Sequence, residues 1–374
     1  MIYSNSTSPR LFGLDLLRAL AILMVLFSHT AYLLPLTGPV KESLFAFFGF
    51  MGVEFFFVLS GFLIGGILFG LFSKYGVSAR VALHFWIRRW FRTLPGYYLA
   101  LLLYLGLHYF SFGEALWKGS MILPYVVFGQ NWFTPHPSFF PIAWSLSVEE
   151  WFYILLPPLI GWGMIFFEKN PNRLLWLIGL ILFVYPLLRL VFGMMTSADW
   201  NYDLRMRVPF RFDSLLLGVF SWLYLSLHPM SIRARNRAAI LGIILLVACS
   251  IYFFVADPTA NGKAANFSGS YYFSLVSMGV AFLLPFLSAE RKHPRTIFIT
   301  SISFLSRISY SLYLTHVISI FIATTILHKW VGDQFNLLKW VSSWVLSIIF
   351  AALLYKYYEK PMMDLRDKFS PPKP

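Results

Sequence analysis

Cysteine is all but missing from this sequence. Cys249 stands alone, which excludes an intramolecular disulfide framework. The eight histidines are scattered, with no pair four residues apart, so no metal-ligand spacing is present and no metal is expected. Twenty-four glycines form no phosphate-cradling loop. Charge is scarce as well: 12% of the 374 residues, against 58% hydrophobic and 20% aromatic, with a mean hydropathy of +0.68. That balance excludes a soluble globular protein of this length. No soluble domain, internal repeat or low-complexity run is apparent, and only the SPPKP end reads as a disordered tail.

What is present is a series of long apolar runs, several near or beyond the eighteen residues that suggest a spanning helix. The expected fold is therefore an all-α polytopic membrane protein of about ten transmembrane helices, near 14–34, 45–72, 95–111, 141–167, 174–194, 209–228, 238–256, 271–289, 308–328 and 338–358. Residues 1–13 read as a short cytoplasmic lead-in, 14–358 as one transmembrane domain and 359–374 as a cytoplasmic tail. No cleavable signal peptide is expected, since the first apolar run is long and carries Arg18 and His29. Lys and Arg number 30 against 16 Asp and Glu, for a net charge of +14. With the N-terminus inside, nineteen of the thirty fall in cytoplasmic segments, eight outside and three within spans. The positive-inside rule then places both termini in the cytoplasm and makes the basic charge a matter of topology, not of nucleic acid.

Ionisable residues inside a span are costly and are candidates for function. Arg18 and His29 project from nearly one face of the first helix, about 16 Å apart along its axis. By the rise per residue His29 lies about 22 Å into its span, Glu149 about 12 Å and Glu54 about 13 Å below the opposite surface, so these three can meet at one level. His316 would sit about 12 Å deep, between that level and the arginines. A histidine with a carboxylate at bonding distance is the smallest general-base unit. Glu150 points about 100° away from Glu149, whereas Ser145, one turn earlier, shares its stripe. Glu54 and Glu149 have a second reading, as structural partners of Arg189 or Arg211. The segment ARVALHFWIRRWFRTLP reads as an interfacial helix, and its Arg88, Arg89 and Arg92 together make a docking site for phosphates. Gly61, Gly65 and Gly66 allow close helix approach. Residues 112–140 form an external segment, rich in aromatics and proline, that suits sugar stacking or a hydrophobic acceptor.

In chain order, LDLLRALAILMVLFSH, VEFFFVLSGFLIGG, RRWFRTLP, WSLSVEEWFYILLP, RFDSLLLG and ISYSLYLTH resemble the acyltransferase-3 family of bacterial membrane acyltransferases, which includes O-antigen and exopolysaccharide O-acetylases and macrolide acyltransferases. The resemblance spans nearly the whole chain. It implies a ten-helix fold in the bacterial cytoplasmic membrane that passes an acyl group, most often acetyl, from cytoplasmic acyl-CoA to a hydroxyl. The family's motif residues match Arg18, His29, Arg89, Arg92, Glu149, Arg211 and Asp213. LYLTH, Leu312 to His316, departs mildly from the usual LYLWH. Some members append an extracytoplasmic esterase-like domain, which is not expected here.

The combined expectation assigns catalysis to His29, Glu149, Glu54 and Ser145, acyl-CoA binding to Arg18, Arg88, Arg89, Arg92, Tyr313 and His316, and an acceptor-side or structural role to Arg211 and Asp213. Acyl-CoA is a co-substrate, with no bound cofactor. The acceptor is a carbohydrate, glycolipid or small hydroxylated molecule. His29, oriented by Glu149 or Glu54, acts as a base or as the site of an acyl-histidine, with Ser145 or a backbone amide on the thioester oxygen. The competing class is a transporter or flippase of a lipid-linked saccharide, with the same polar cavity and no chemistry; a third reading, a non-catalytic membrane scaffold, leaves the aligned His and Glu unexplained.

Overall fold

A computed structural model describes residues 11–35, 38–112, 119–168, 170–196, 198–256, 263–290, 296–332 and 335–366. Most of the lead-in, the Arg291–Arg295 loop and the SPPKP tail lie outside the described residues. Those described form twelve α-helices and no strand: α1 Phe12–Thr30, α2 Pro39–Tyr75, α3 Ala79–Phe112, α4 Gly119–Val126, α5 Ala143–Phe166, α6 Asn172–Met195, α7 Phe212–Leu227, α8 Ile232–Ala256, α9 Lys263–Leu287, α10 Ile297–Val331, α11 Asn336–Leu354 and α12 Lys360–Arg366. A π turn at Trp200–Arg205 and a 3-10 turn at Val208–Phe210 lead into α7, and a second π turn, Tyr355–Glu359, joins α11 to α12. Seven of the described helices are long and apolar enough to cross a membrane: Phe12–Leu33, Lys41–Tyr75, Asn172–Met195, Ile232–Ala256, Ser268–Leu287, Ile297–Trp330 and Asn336–Arg366. The protein is a multi-pass membrane protein.

The three other expected spans coincide with α3, α5 and α7, each less apolar or shorter for a visible reason. Helix α3 carries Arg88, Arg89 and Arg92 in its first half, and α5 carries Glu149 and Glu150. Helix α7 has 16 residues, about 24 Å of rise against a hydrocarbon core of about 30 Å. The basic segment is not a separate interfacial helix. It runs unbroken through Pro95 into the following apolar stretch, making α3 34 residues long. The segment 112–140 likewise contains a helix of its own, α4.

Helix α2 is the centre of the bundle. Its Phe57 and Leu68 join the largest apolar cluster, Phe50 and Met51 a second, and Val58 and Leu59 a third. A helix apolar on every side belongs in an interior. The glycines of α2 set how closely α7 approaches. A Cβ on Gly61 would stand 1.9 Å from the Leu215 carbonyl oxygen, and one on Gly218 would stand 2.1 Å from that of Val58. Backbone meets backbone here, so no side chain can yield. Gly61→Val is expected to cost at least the upper end of the ~1–3 kcal/mol of ordinary overpacking. The check is the midpoint of thermal unfolding in detergent, beside Gly106→Val on α3, where a Cβ meets nothing within 4 Å.

Candidate active site

Three arginines gather where α1 and α3 face α2, α5 and α10. Arg18, Arg89 and Arg92 line a cavity of about 270 Å³ with Glu149, Ser60, Ser145, Tyr310 and Tyr313, closed on its other side by apolar residues of α2 such as Phe56, Leu63 and Ile67. Arg88 immediately precedes Arg89 on the same helix but is not on the cavity wall. Among the described residues, the guanidiniums of Arg89 and Arg92 make no side-chain hydrogen bond and no ion pair within 4 Å. Glu149 stays near them, and the charges of Arg92, Arg89 and Arg18 act on it. Its Oε2 accepts a hydrogen bond of 2.8 Å from the Tyr153 hydroxyl, whose oxygen lies 2.8 Å from Ser60 Oγ. Tyr153 has one proton and gives it to the carboxylate, so Ser60 is the donor to Tyr153.

The inner end of the cavity is a hydrogen-bonded pair. Ser145 Oγ and the Tyr313 hydroxyl lie 2.5 Å apart, and both are within reach of the Ile142 carbonyl, at 3.2 and 3.3 Å. One proton lies between the two oxygens and the other goes to the carbonyl. Beyond Tyr313, its ring centroid 5.9 Å away, is His316, and against His316 is His29, with ring centroids 4.7 Å apart and planes at 75°. His316 is wholly buried, and His29 is half-buried.

The two rings share a tautomer for a local reason. His29 Nδ1 lies 2.9 Å from the Val25 carbonyl, one turn back on α1. His316 Nδ1 lies 2.8 Å from the Tyr313 carbonyl and 3.1 Å from that of Leu312 on α10. A carbonyl only accepts, so each Nδ1 carries the hydrogen and each Nε2 of a neutral ring carries a lone pair. Among the described residues, the His316 Nε2 is buried without a partner.

This corrects the expected meeting of His29 with a carboxylate. Depth along the membrane normal is one coordinate of three, and the carboxylates of similar depth are engaged elsewhere. Glu54 forms an ion pair with Arg211, buried on both sides, and its Oε2 accepts from the hydroxyls of Ser214 and Ser277 at 2.8 and 2.6 Å. Asp213 pairs with Arg189 at 2.8 Å and accepts from Ser274 at 2.6 Å. These two networks tie α2, α6, α7 and α9 together, the second reading that Glu54 carried from the start. Ser145 shares the cavity stripe with Glu149 as its spacing requires, with its hydroxyl bonded to Tyr313. His316 lies between the Tyr313 end of the arginine cavity and His29, with its ring against that of His29.

Opposite the arginine cavity, the segment between α4 and α5 braces the start of α5. Asn131, fully buried, donates from Nδ2 to the carbonyls of Trp144 at 3.1 Å and Met206 at 2.5 Å, and its backbone carbonyl accepts from Val208 N at 3.1 Å. Gln130 donates to the Ala143 carbonyl at 3.3 Å and to Ser147 Oγ. The turn that carries Arg205 is thus fastened to the residue before Ser145.

A family model described as an acyltransferase domain matches residues 11–356. The chain belongs to this acyltransferase-3 family. It is 28% identical to a peptidoglycan O-acetyltransferase, OatA, of Listeria monocytogenes, over 96% of this chain and 56% of that protein. It is 26% identical to an O-acetyltransferase, also OatA, of Staphylococcus aureus, over 95% of this chain and 58% of that protein. The chain spans little more than half the length of these relatives. No solved structure matches it.

Three features of this member of the family left little or no mark in its sequence. Tyr153 lies one turn beyond Glu149, a spacing that the stripe argument for Ser145 applies to equally. Asn131 and Arg205 left no comparable signal, since neither sits in a periodic segment.

Proposed function

We propose that this chain transfers an acyl group, acetyl in the first instance, from acyl-CoA to a hydroxyl of a carbohydrate acceptor, as a ten-span protein of the bacterial cytoplasmic membrane with both termini inside. The observation that carries the reading is the pair of unpaired guanidiniums, Arg89 and Arg92, at one end of a cavity whose other end stops one tyrosine short of two histidines with free Nε2 lone pairs. Cations in a low-dielectric cavity without carboxylate partners are costly unless an anion completes them. The phosphates of CoA are such an anion. The thioester then reaches past Tyr313 to His29, whose Nε2 takes the proton of the attacking hydroxyl. The Val25 carbonyl, rather than a carboxylate, holds the base in its reactive tautomer. The acceptor named for the Listeria relative makes peptidoglycan fragments the first acceptor to try.

The test is release of free CoA from acetyl-CoA by detergent-purified protein, with and without muropeptide acceptor, together with equilibrium binding of acetyl-CoA. Arg92→Ala is expected to weaken acetyl-CoA binding by roughly ten- to a hundredfold, the size of a charge-assisted hydrogen bond of ~1.5–3 kcal/mol, with kcat far less affected. A flippase would bind no acetyl-CoA and release no CoA under either condition, and that result would end the enzyme reading.

A further inference from the structure

Four arginines fall between positions 189 and 211. Arg189 pairs with Asp213, Arg207 with Asp203 and Arg211 with Glu54. Arg205 alone has no carboxylate within 4 Å among the described residues. Its guanidinium lies over the indole of Trp144, 4.8 Å from the ring centroid, and Nη1 donates to Asn201 Oδ1 at 2.8 Å. Among the described residues, its Nε is buried with no hydrogen-bond partner. Stacking leaves the edges of a planar guanidinium as its donors, so this cation is oriented and incompletely used.

Its place is not accidental. Asp199 caps the turn that presents it, accepting from the backbone of Asn201 and Tyr202 at 2.8 and 2.7 Å. Asn131 clamps the next residue, Met206, to Trp144. The charge of Arg205 acts on both His29 and Tyr313, the groups on either side of His316. Ser145, the side chain expected to stabilise the thioester oxygen, spends its hydroxyl on Tyr313 and Ile142.

We propose that Arg205 is a catalytic residue, the donor that stabilises the oxyanion formed when the acceptor hydroxyl attacks the thioester beside His29. This rests on the acyl transfer proposed above. The hydroxyl oxygen bonds to the thioester carbon while its proton passes to His29 Nε2. The carbonyl π pair moves to oxygen, and the resulting anion is held by the Arg205 guanidinium. When the carbonyl re-forms, the C–S bond breaks and the thiolate takes the proton from His29, leaving ester and CoA. A preorganised cation acts here because the charge develops only on the way to the product.

The experiment compares Arg205→Ala and Arg205→Lys with wild type in acetyl-CoA turnover with muropeptide acceptor, and in acetyl-CoA binding. Arg205→Ala is expected to lose roughly a hundredfold or more in kcat, the range seen for removing one oxyanion donor, with acetyl-CoA affinity unchanged. Added methylguanidinium is expected to restore part of that loss, which replacement of a purely structural residue would not show. Arg205→Lys keeps the charge without the planar fork and is expected to fall at least tenfold. It replaces the alanine variant if that one fails to bind acetyl-CoA. Turnover within threefold of wild type in the tested variant, or a loss confined to KM for acetyl-CoA, overturns the assignment of Arg205. If wild type binds acetyl-CoA and never turns it over, the acyl-transfer reading itself falls.

Discussion

His29→Ala is expected to lower transfer of the acetyl group by roughly 10²–10⁴-fold, the usual worth of a positioned general base, while acetyl-CoA still binds with wild-type affinity. The separation of effects follows from the geometry. The arginine cavity and His29 lie on opposite sides of the Tyr313–Ser145 pair, so removing the imidazole leaves the anion-holding end intact. The loss cannot be made good locally. His316 has the same tautomer, with Nδ1 tied to carbonyls of its own helix, but unlike the half-buried His29 its ring is wholly buried. His29→Gln keeps shape and polarity without a basic nitrogen and should fall as far as alanine. If either variant turns over within tenfold of wild type, the base is another group. Chasing labelled acetyl-CoA without acceptor and then digesting the protein separates the two chemistries. A label on the His29 peptide means an acyl-histidine, and no label means direct transfer.

The second large effect concerns stability. Glu54→Ala and Arg211→Ala each leave one uncompensated charge in the centre of the bundle, between α2 and α7. Each is expected to cost about 3–5 kcal/mol, the usual price of breaking a buried pair from one side. Glu54 also holds Ser214 and Ser277, which places its loss at the upper end. The double variant Glu54→Leu/Arg211→Met removes both charges while keeping volume, and should recover most of that cost. Thermal midpoints in detergent for the two singles and the double give the coupling directly. A catalytic Glu54 would behave in the opposite way: singles that fold normally and turn over poorly, and a double no better than either. Recovery of both midpoint and CoA release in the double would assign the pair to architecture.

How much of this was legible beforehand varies with the kind of information a residue carries. Helical spacing placed Ser145 and Glu149 on one stripe, and both line the cavity. The glycines of α2 announced a close contact, and Gly61 meets the backbone of α7. The arginines of RRWFR were recognisable as a cationic cluster, though the helix carrying them proved continuous with the next apolar stretch. Depth placed His29, Glu54 and Glu149 at one level and could say nothing of direction. Glu54 turns toward α7 and α9 because Arg211, Ser214 and Ser277 wait there, 157 to 223 residues away in the chain. His29 meets His316 through the packing of α1 against α10, which no local pattern encodes. Arg205 sat in DLRMRVPFR, a stretch that reads as a charged loop, and became distinctive only when every arginine around it was seen to have a carboxylate.

A membrane that stores a proton gradient cannot tolerate an unbroken polar thread from face to face. In this protein polar groups run from Arg92 to Tyr313 on one side and from His316 to His29 on the other, and the short Ser145–Tyr313 hydrogen bond stands between them. Both hydroxyl protons are committed, one within the bond and one to the Ile142 carbonyl. Relay of a proton past this point requires one of the two hydroxyls to turn away from its present acceptor. The cationic end and the histidine pair are therefore separated, in this arrangement, by one pair of hydroxyls with fixed hydrogen bonds.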